Sequence, residues 1–287
     1  MSGKTQIALG ASEVRALAEA LGIRPTKRLG QNFVIDANIC RKIVRIAGIN
    51  KKDVILEVGP GFGSLTIVLL QEAHEVVAVE IDRTLAQALE ATVADRLPDA
   101  VGNLTVINAD AMQLEDLDGK LPTVLVANLP YNISVPVLLH VLERFETLRS
   151  GLVMVQSEVA DRLAARPGDK AYGIPSVKAA WWAKLRKAGP VSRSVFWPVP
   201  NVDSGLVAFT RQDPPICSVT RQEVFTVIDA AFATRRKMLR SALANWAGSP
   251  SQSEALLIAA GIAPTARGEE LTLSDFVAIA SAKARIG

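Results

Sequence analysis

Cysteine, histidine and tyrosine are scarce in this chain, with two of each in 287 residues. Cys40 and Cys217 stand apart, without a Cys-x-x-Cys pair or Cys/His ligand spacing. That excludes a disulfide scaffold and leaves no candidate metal site, so no metal is expected. A reducing compartment, the cytoplasm, suits such a chain. His74 and His140 fall in helical stretches, and no histidine-centred catalytic triad is visible. No apolar run approaches the ~18 residues of a membrane helix, so no membrane partner is expected. Residues 1–22 lack the unbroken apolar region of a signal peptide and read as an amphipathic helix. Repeats and low-complexity stretches are also missing.

Charge is nearly balanced, 32 basic against 29 acidic side chains for a net +3, too little to announce a polyanionic partner. Its distribution says more. Residues 1–150 carry 15 basic and 18 acidic groups, whereas 151–287 carry 17 and 11. Within 158–193 there are 8 basic groups and 3 acidic. A polyanion could use that asymmetry through counterion release, and a merely solvated basic face would look the same.

From about residue 36 to 150, short β-branched runs alternate with longer helical patterns. The runs are Asp53 to Val58, Glu75 to Glu80, Leu104 to Asn108, Thr123 to Ala127 and Ser150 to Gln156. Near-continuous apolar strands separated by helices predict an α/β fold with a parallel sheet covered on both faces. Such sheets bind ligands outside the carboxyl ends of their strands. Tandem prolines at 214 and 215 mark a linker. After it, Thr220 and Glu223 form a capping box, Ser251 and Glu254 open a helix stopped at Gly261, and a last helix follows Ser274. The expected organisation is a domain over 1–211, including an N-terminal extension, and a small all-helical domain over 212–287.

The stretch from Glu57 to Gly63 follows a strand and opens a helix. Gly59, Gly61 and Gly63 let the backbone turn tightly and approach a ligand. Glu80 closes the next strand, where a carboxylate can accept both hydroxyls of a ribose. These features fit any adenosine cofactor. A nicotinamide fingerprint would want glycine at 64, where Ser64 stands. Three additions favour S-adenosylmethionine: Glu57 directly before the loop, at the methionine end; Asp110 after the third strand, suited to the adenine amino group; and Asn128-Leu129-Pro130-Tyr131 after the fourth.

That last string carries the chemistry. An exocyclic amino nitrogen on adenine or cytosine is nearly planar, its lone pair drained into the ring, so it is a poor nucleophile. The Asn128 side-chain oxygen and the Leu129 carbonyl, freed by the Pro130 turn, can accept its two N–H bonds. This holds the nitrogen towards tetrahedral geometry with its lone pair facing the methyl donor. Tyr131 offers the flipped base a stacking face. A second proline-stiffened stretch runs from Phe196 to Ser204, and Phe196 could close the base's other face.

Read together, these blocks resemble the ribosomal RNA adenine dimethyltransferase family, most closely its bacterial small-subunit branch. They are Lys27 to Phe33, Glu57 to Gly63, Val79 to Asp82, Asp110-Ala111, Asn128 to Ser134, Val155 to Ala160, Phe196 to Ser204 and Phe232 to Arg240. Leu129 stands where the family often has Ile, and Ser157 where a basic residue is frequent. The resemblance implies a Rossmann-like class I methyltransferase domain over 1–211 and a helical RNA- or ribosome-contacting domain over 212–287. It also implies N6-dimethylation of two adjacent adenosines in a hairpin loop near the 3′ end of 16S rRNA, within 30S precursors, by a monomeric enzyme. Asn32 and Val34 would help hold the cofactor, and Gly59 would lie under its methionine moiety. The candidate cofactor set is Gln31, Asn32, Val34, Glu57, Gly59, Gly61, Glu80, Ile81, Asp110, Ala111 and Asn128. Arg235, Arg236, Lys237 and Arg240 are the candidate RNA contacts.

Three other readings compete. A 23S rRNA methyltransferase of the macrolide-resistance type shares the cofactor and acceptor motifs, although Gly30 and the basic block at 235–240 suit the small-subunit branch better. A non-catalytic RNA-binding assembly factor on the same fold would not need Asn128, Pro130 and Tyr131 intact. A DNA adenine methyltransferase more often begins its acceptor motif Asp- or Asn-Pro-Pro.

Overall fold

The computed structural model describes residues 8–25 and 30–286. The first seven residues, and Lys27 to Leu29 of the first family block, lie outside them. The chain divides into two compact units, one of 1–160 with 187–211, the other of 161–186 with 212–287. The second unit therefore takes in 161–186, a segment the sequence reading assigned to the first domain. Its aromatic side chains explain why: Trp181 and Trp182 set their rings edge-on to Phe225, at 6.0 and 5.6 Å, and the Tyr172 hydroxyl donates to the Leu271 carbonyl at 2.7 Å.

The first unit opens with α1 (Ala11–Ala20), β1 (Phe33–Val34), α2 (Ala37–Ala47) and β2 (Val54–Val58). The core α/β alternation continues through α3 (Ser64–Glu72), β3 (Glu75–Glu80), α4 (Arg83–Arg96), β4 (Leu104–Asn108), β5 (Val124–Asn128), α5 (Ser134–Arg144) and β6 (Ser150–Gln156). Helix α6 (Ser157–Leu163), α7 (Ile174–Ala179), β7 (Ala183–Val191), β8 (Phe196–Trp197) and β9 (Ser204–Arg211) follow.

Seven strands form one sheet in the order β4-β3-β2-β5-β6-β9-β7, and β1 pairs with β8 in a separate ribbon. Strands β4, β3, β2, β5 and β6 are mutually parallel. Adjacent residues on these strands, such as Ile55 and Leu56, Val76 and Val77, and Val124 and Leu125, are all buried. Both faces are covered, which is why the strands read as unbroken apolar runs. The sheet is not wholly parallel, however. β9 runs antiparallel to β6, with Gln156 opposite Ser204 and Ser150 opposite Thr210. The chain order reverses at β2, which has β3 on one side and β5 on the other, and this is the place where a crevice opens above the strand ends.

The opposite end of the sheet is fastened by Asp53, which is 2% exposed. Its carboxylate accepts from the Asn50 N–H and the Thr123 hydroxyl, both at 2.9 Å, and pairs with Arg149 at 2.6 Å. Burial pushes its pKa up, but these donors and the Arg149 charge outweigh it and hold the group below the usual carboxylate range.

The second unit contains α7 and five further helices, α8 (Arg221–Ala233), α9 (Leu239–Ala242), α10 (Ala244–Ala247), α11 (Pro250–Ala259) and α12 (Leu273–Ile286). The capping box of Thr220 and Glu223 is formed as expected. Two helix starts differ from the sequence reading. α11 is capped by Ser249, whose hydroxyl accepts from Gln252 N–H at 3.1 Å. Pro250 then occupies the first turn, where its missing N–H costs nothing. α12 is preceded by Thr272, which exchanges hydrogen bonds with Asp275. Among the described residues no helix is long and apolar enough to cross a membrane, and no cluster of potential metal ligands occurs.

Candidate active site

A cavity lies over the carboxyl ends of β2, β3, β4 and β5, lined by residues from all four strand ends. At the end of β2, Glu57 is 1% exposed and accepts one hydrogen bond, from the Thr66 hydroxyl at 2.7 Å. Burial, with the nearby negative charge of Glu80 adding to it, pushes its carboxyl up to about 8. A group in that state is poised to ionise when a cation comes beside it. Gly59 and Gly61 follow at φ 71° and 58°, conformations that side-chain-bearing residues resist. A Cβ on Gly61 would also meet the Phe33 ring at 2.8 Å. The turn is tied to β3 by Gly59 N–H donating to Val79 O at 2.9 Å.

Glu80 ends β3 and bridges two loops, accepting from Gly61 N–H at 3.1 Å and Asp82 N–H at 3.0 Å. Burial raises its pKa, with the N–H donors opposing that rise. Ile81, beside it, is 52% exposed although apolar, and it forms part of the cavity wall. Asn108 at the end of β4 donates to the carbonyls of Glu80 and Ile81 at 2.8 and 3.3 Å, locking the two strand ends together. Asp110 then accepts from Met112 N–H at 2.9 Å.

At the end of β5 the side chain of Asn128 is divided between two tasks. Its Nδ2 donates to the Asn32 carbonyl at 3.0 Å. Its Oδ1 is the one buried side-chain polar atom without a hydrogen-bond partner among the described residues. Because the Asn32 atom is a carbonyl oxygen, the amide must present its nitrogen there, and the oxygen is fixed on the other side. Leu129 is anchored by its N–H to Met154 O at 3.0 Å. Pro130 supplies no N–H, and its carbonyl accepts from Ile133 N–H at 3.2 Å, turning the chain into α5. Tyr131 points its hydroxyl at Ser204 Oγ in a short hydrogen bond.

The wall opposite the glycine turn is the segment 30–34. It is held by Asn128, by the Ser64 hydroxyl donating to Val34 O at 2.7 Å, and by β1 pairing with β8. Gly30 packs so closely on the acceptor loop that a Cβ there would lie 2.9 Å from Asn132 Oδ1.

All eleven candidate cofactor residues, with Leu129, Pro130 and Tyr131, line this one cavity. Phe196 does not. Its ring is fully buried and meets Tyr131 edge-on at 6.4 Å, so it has no open face for a base in this structure. Sequence reasoning missed Ser64, treated there only as a break in a glycine pattern, and Asn108 as a strand lock. It also assigned no role to Ser204, although it marked the block containing it. Capping chemistry signalled none of them, since each acts on residues brought close by the fold.

The basic block belongs to the second unit. Arg235 is held by Glu269 at 2.9 Å and by the Lys170 carbonyl at 2.5 Å, and Arg240 pairs with Glu254 at 3.2 Å. Arg236 and Lys237 are exposed.

The residues present fit an adenosine cofactor with a cationic amino-acid end. Glu80 and Asp110 offer acceptors at the strand ends, Ile81 an apolar surface, and Glu57 a buried acid short of partners. The bare glycine turn allows close approach. No histidine lines the cavity, and Asn128 Oδ1 is an acceptor waiting for a donor.

Residues 23–285 match the family described as Ribosomal RNA adenine dimethylase. The chain is 58% identical to a Ribosomal RNA small subunit methyltransferase A of Streptomyces griseus, with 97% of this chain and 96% of that one covered. It is 59% identical to a protein of the same name from an Arthrobacter species, covering 98% and 96%. Among solved structures, a dimethyladenosine transferase from Plasmodium falciparum superposes with a TM-score of 0.72 at 25% identity, covering 86% of this chain and 95% of that one. The chain belongs to the ribosomal RNA adenine dimethylase family.

Proposed function

We propose that this chain is an S-adenosylmethionine-dependent 16S rRNA adenine-N6,N6-dimethyltransferase. It acts as a cytoplasmic monomer, without a metal, on two adjacent adenosines near the 3′ end of the RNA in 30S precursor particles. The observation that carries the reading is the buried, unpartnered Oδ1 of Asn128. An orphaned acceptor costs roughly 1–3 kcal/mol, and one carried by a residue of the cavity lining is suited to receive a donor. Glu80 would hold the ribose hydroxyls, Asp110 the adenine amino group and Glu57 the ammonium of the methionine end.

Bound there, S-adenosylmethionine supplies an electrophilic methyl on a sulfonium. The protein's share is positioning. Asn128 Oδ1 and the Leu129 carbonyl accept the two N–H bonds of the target amine and draw its lone pair out of the ring. The Leu129 carbonyl belongs to a tertiary amide, so no N–H of Pro130 competes for the same space. Both groups are fixed before the base arrives, and the positive charge that develops on nitrogen meets acceptors that need not reorganise. Neither is a base strong enough to take the proton first; it leaves to solvent once the nitrogen is methylated. Tyr131 offers its ring to the flipped base, and the buried Phe196 backs that ring instead of closing the base's other face. Residues 212–287 contribute the RNA contacts, with Arg236 and Lys237 the cations most available to phosphate.

Two relatives of 58–59% identity carry a small-subunit name, which favours 30S over 50S particles. The test is methyl transfer from labelled cofactor to unmethylated 30S subunits, 50S subunits and duplex DNA. Incorporation confined to 30S supports the reading. Incorporation into 50S alone replaces it with the 23S alternative, and none at all with a binding factor.

A further inference from the structure

The acceptor loop is fastened at a point the proposed chemistry does not use. Tyr131 lies in the loop after β5, and its hydroxyl reaches past the end of β6 to Ser204, the first residue of β9. Ser204 is 1% exposed and its backbone is fixed by the β6 register, opposite Gln156. The neighbouring Asp203 carbonyl accepts from Ser157 N–H at 3.0 Å. Phe196 supports the same phenol ring from its edge. The ring of Tyr131 is thus held at both a side and its far end, and its hydroxyl is already engaged within the protein.

From this we infer that Ser204 is a positioning residue for methyl transfer. It acts as a strut that locks Tyr131 as a fixed stacking surface, and Tyr131 recognises the target through its ring and not through its hydroxyl. The inference rests on the reading of Tyr131 as the base-stacking residue. A phenol without the strut can rotate about its side-chain bonds, and a base stacked on a swinging ring spends less time with its amine between the two acceptors. Misplacement of a reacting group by about 1 Å is enough to cost on the order of a hundredfold in rate. Burial raises the Tyr131 pKa, with the Ser204 bond opposing that rise, so the hydroxyl stays protonated and available to this bond at neutral pH.

The bond can be cut from either end, which makes the inference open to a double-mutant cycle. Ser204→Ala, Tyr131→Phe and the double variant are compared with the wild type, using unmethylated 30S subunits and labelled cofactor at saturation. Cofactor affinity is measured separately by calorimetry, and melting temperature monitors folding. Each single variant is expected to lose about tenfold in kcat/KM for the particle with cofactor affinity within twofold, and the double variant to be no worse than the poorer single one. Ser204→Thr, which keeps a hydroxyl, should recover part of the loss. Either single variant working within twofold of the wild type would overturn the strut, and so would losses that multiply in the double variant. A parallel fall in cofactor affinity would reassign Ser204 to general support of the cavity. Failure of the wild type itself to methylate 30S subunits would instead count against the proposed function.

Discussion

Asn128 has a donor and an acceptor on one planar amide, and the fold commits them to different partners. The donor closes on the Asn32 carbonyl, which leaves the acceptor buried and without a partner, on a residue that lines the cavity. Asn128→Ala removes both. Methyl transfer should fall below detection, while cofactor affinity should fall by no more than about tenfold, the loss of one neutral hydrogen bond to the adjacent wall. Retained turnover would refute the acceptor role. Glu57 makes a different kind of prediction. Its carboxyl titrates at about 8 in the folded, cofactor-free protein against an ordinary glutamate value of 4.5. A carboxyl raised on folding contributes stability that is present below its unfolded pKa and lost as pH rises through the folded one. The cofactor-free protein should therefore melt at progressively lower temperature between about pH 5 and 8. Glu80 shifts in the same direction and adds to the trend. Glu57→Gln should reduce that slope, and an identical slope in the variant would show that Glu57 is already ionised.

The strands that position these residues were the most legible elements. β2 to β6 are parallel and covered on both faces, so each is an unbroken apolar run with turn residues at its ends, and the chemistry-bearing residues follow directly after them. β9 was not legible because an antiparallel return strand is defined by its pairing with β6, its partners lying 48 to 60 residues earlier in the chain. The same holds for the wall at 30–34. Its anchors lie 30 residues away at Ser64 and 96 away at Asn128, and nothing local in the sequence announces either bond. Helix starts went astray by a residue or two where several small polar residues compete, as Ser249 and Ser251 do ahead of α11; the proline at 250 decides for Ser249. At the far end of the sheet, Asp53 ties β2, the Thr123 turn and Arg149 together. Asp53→Asn should destabilise the protein by roughly 1–3 kcal/mol by unpairing these donors, measured by urea unfolding at pH 7. The carboxyl is held low, so the difference from the wild type should shrink below about pH 4 as Asp53 itself protonates. A difference unchanged at acid pH would mean that the charge of Asp53 contributes nothing.

The whole chain places a weakly acidic first half before a basic second half. Most of that excess falls in 158–193, and residues 212–287 carry 8 basic groups against 7 acidic, so an RNA interface there depends on where its cations cluster and not on net charge. Of the four cations in the 235–240 block, two are engaged by glutamates. Neutralising Arg236 and Lys237 should therefore weaken particle binding and reduce the slope of log K against log salt by about 1.4, at ~0.7 for each phosphate that no longer meets a cation. An unchanged slope would return these residues to a solvated face. The strongest test of the account is mass spectrometry of 16S rRNA after unmethylated 30S subunits are incubated with the protein and labelled S-adenosylmethionine. Two adjacent dimethylated adenosines near the 3′ end are expected with the wild type and none with Asn128→Ala. Methyl groups on another base, or an identical pattern from the Asn128 variant, would contradict the claim that this amide oxygen positions the target.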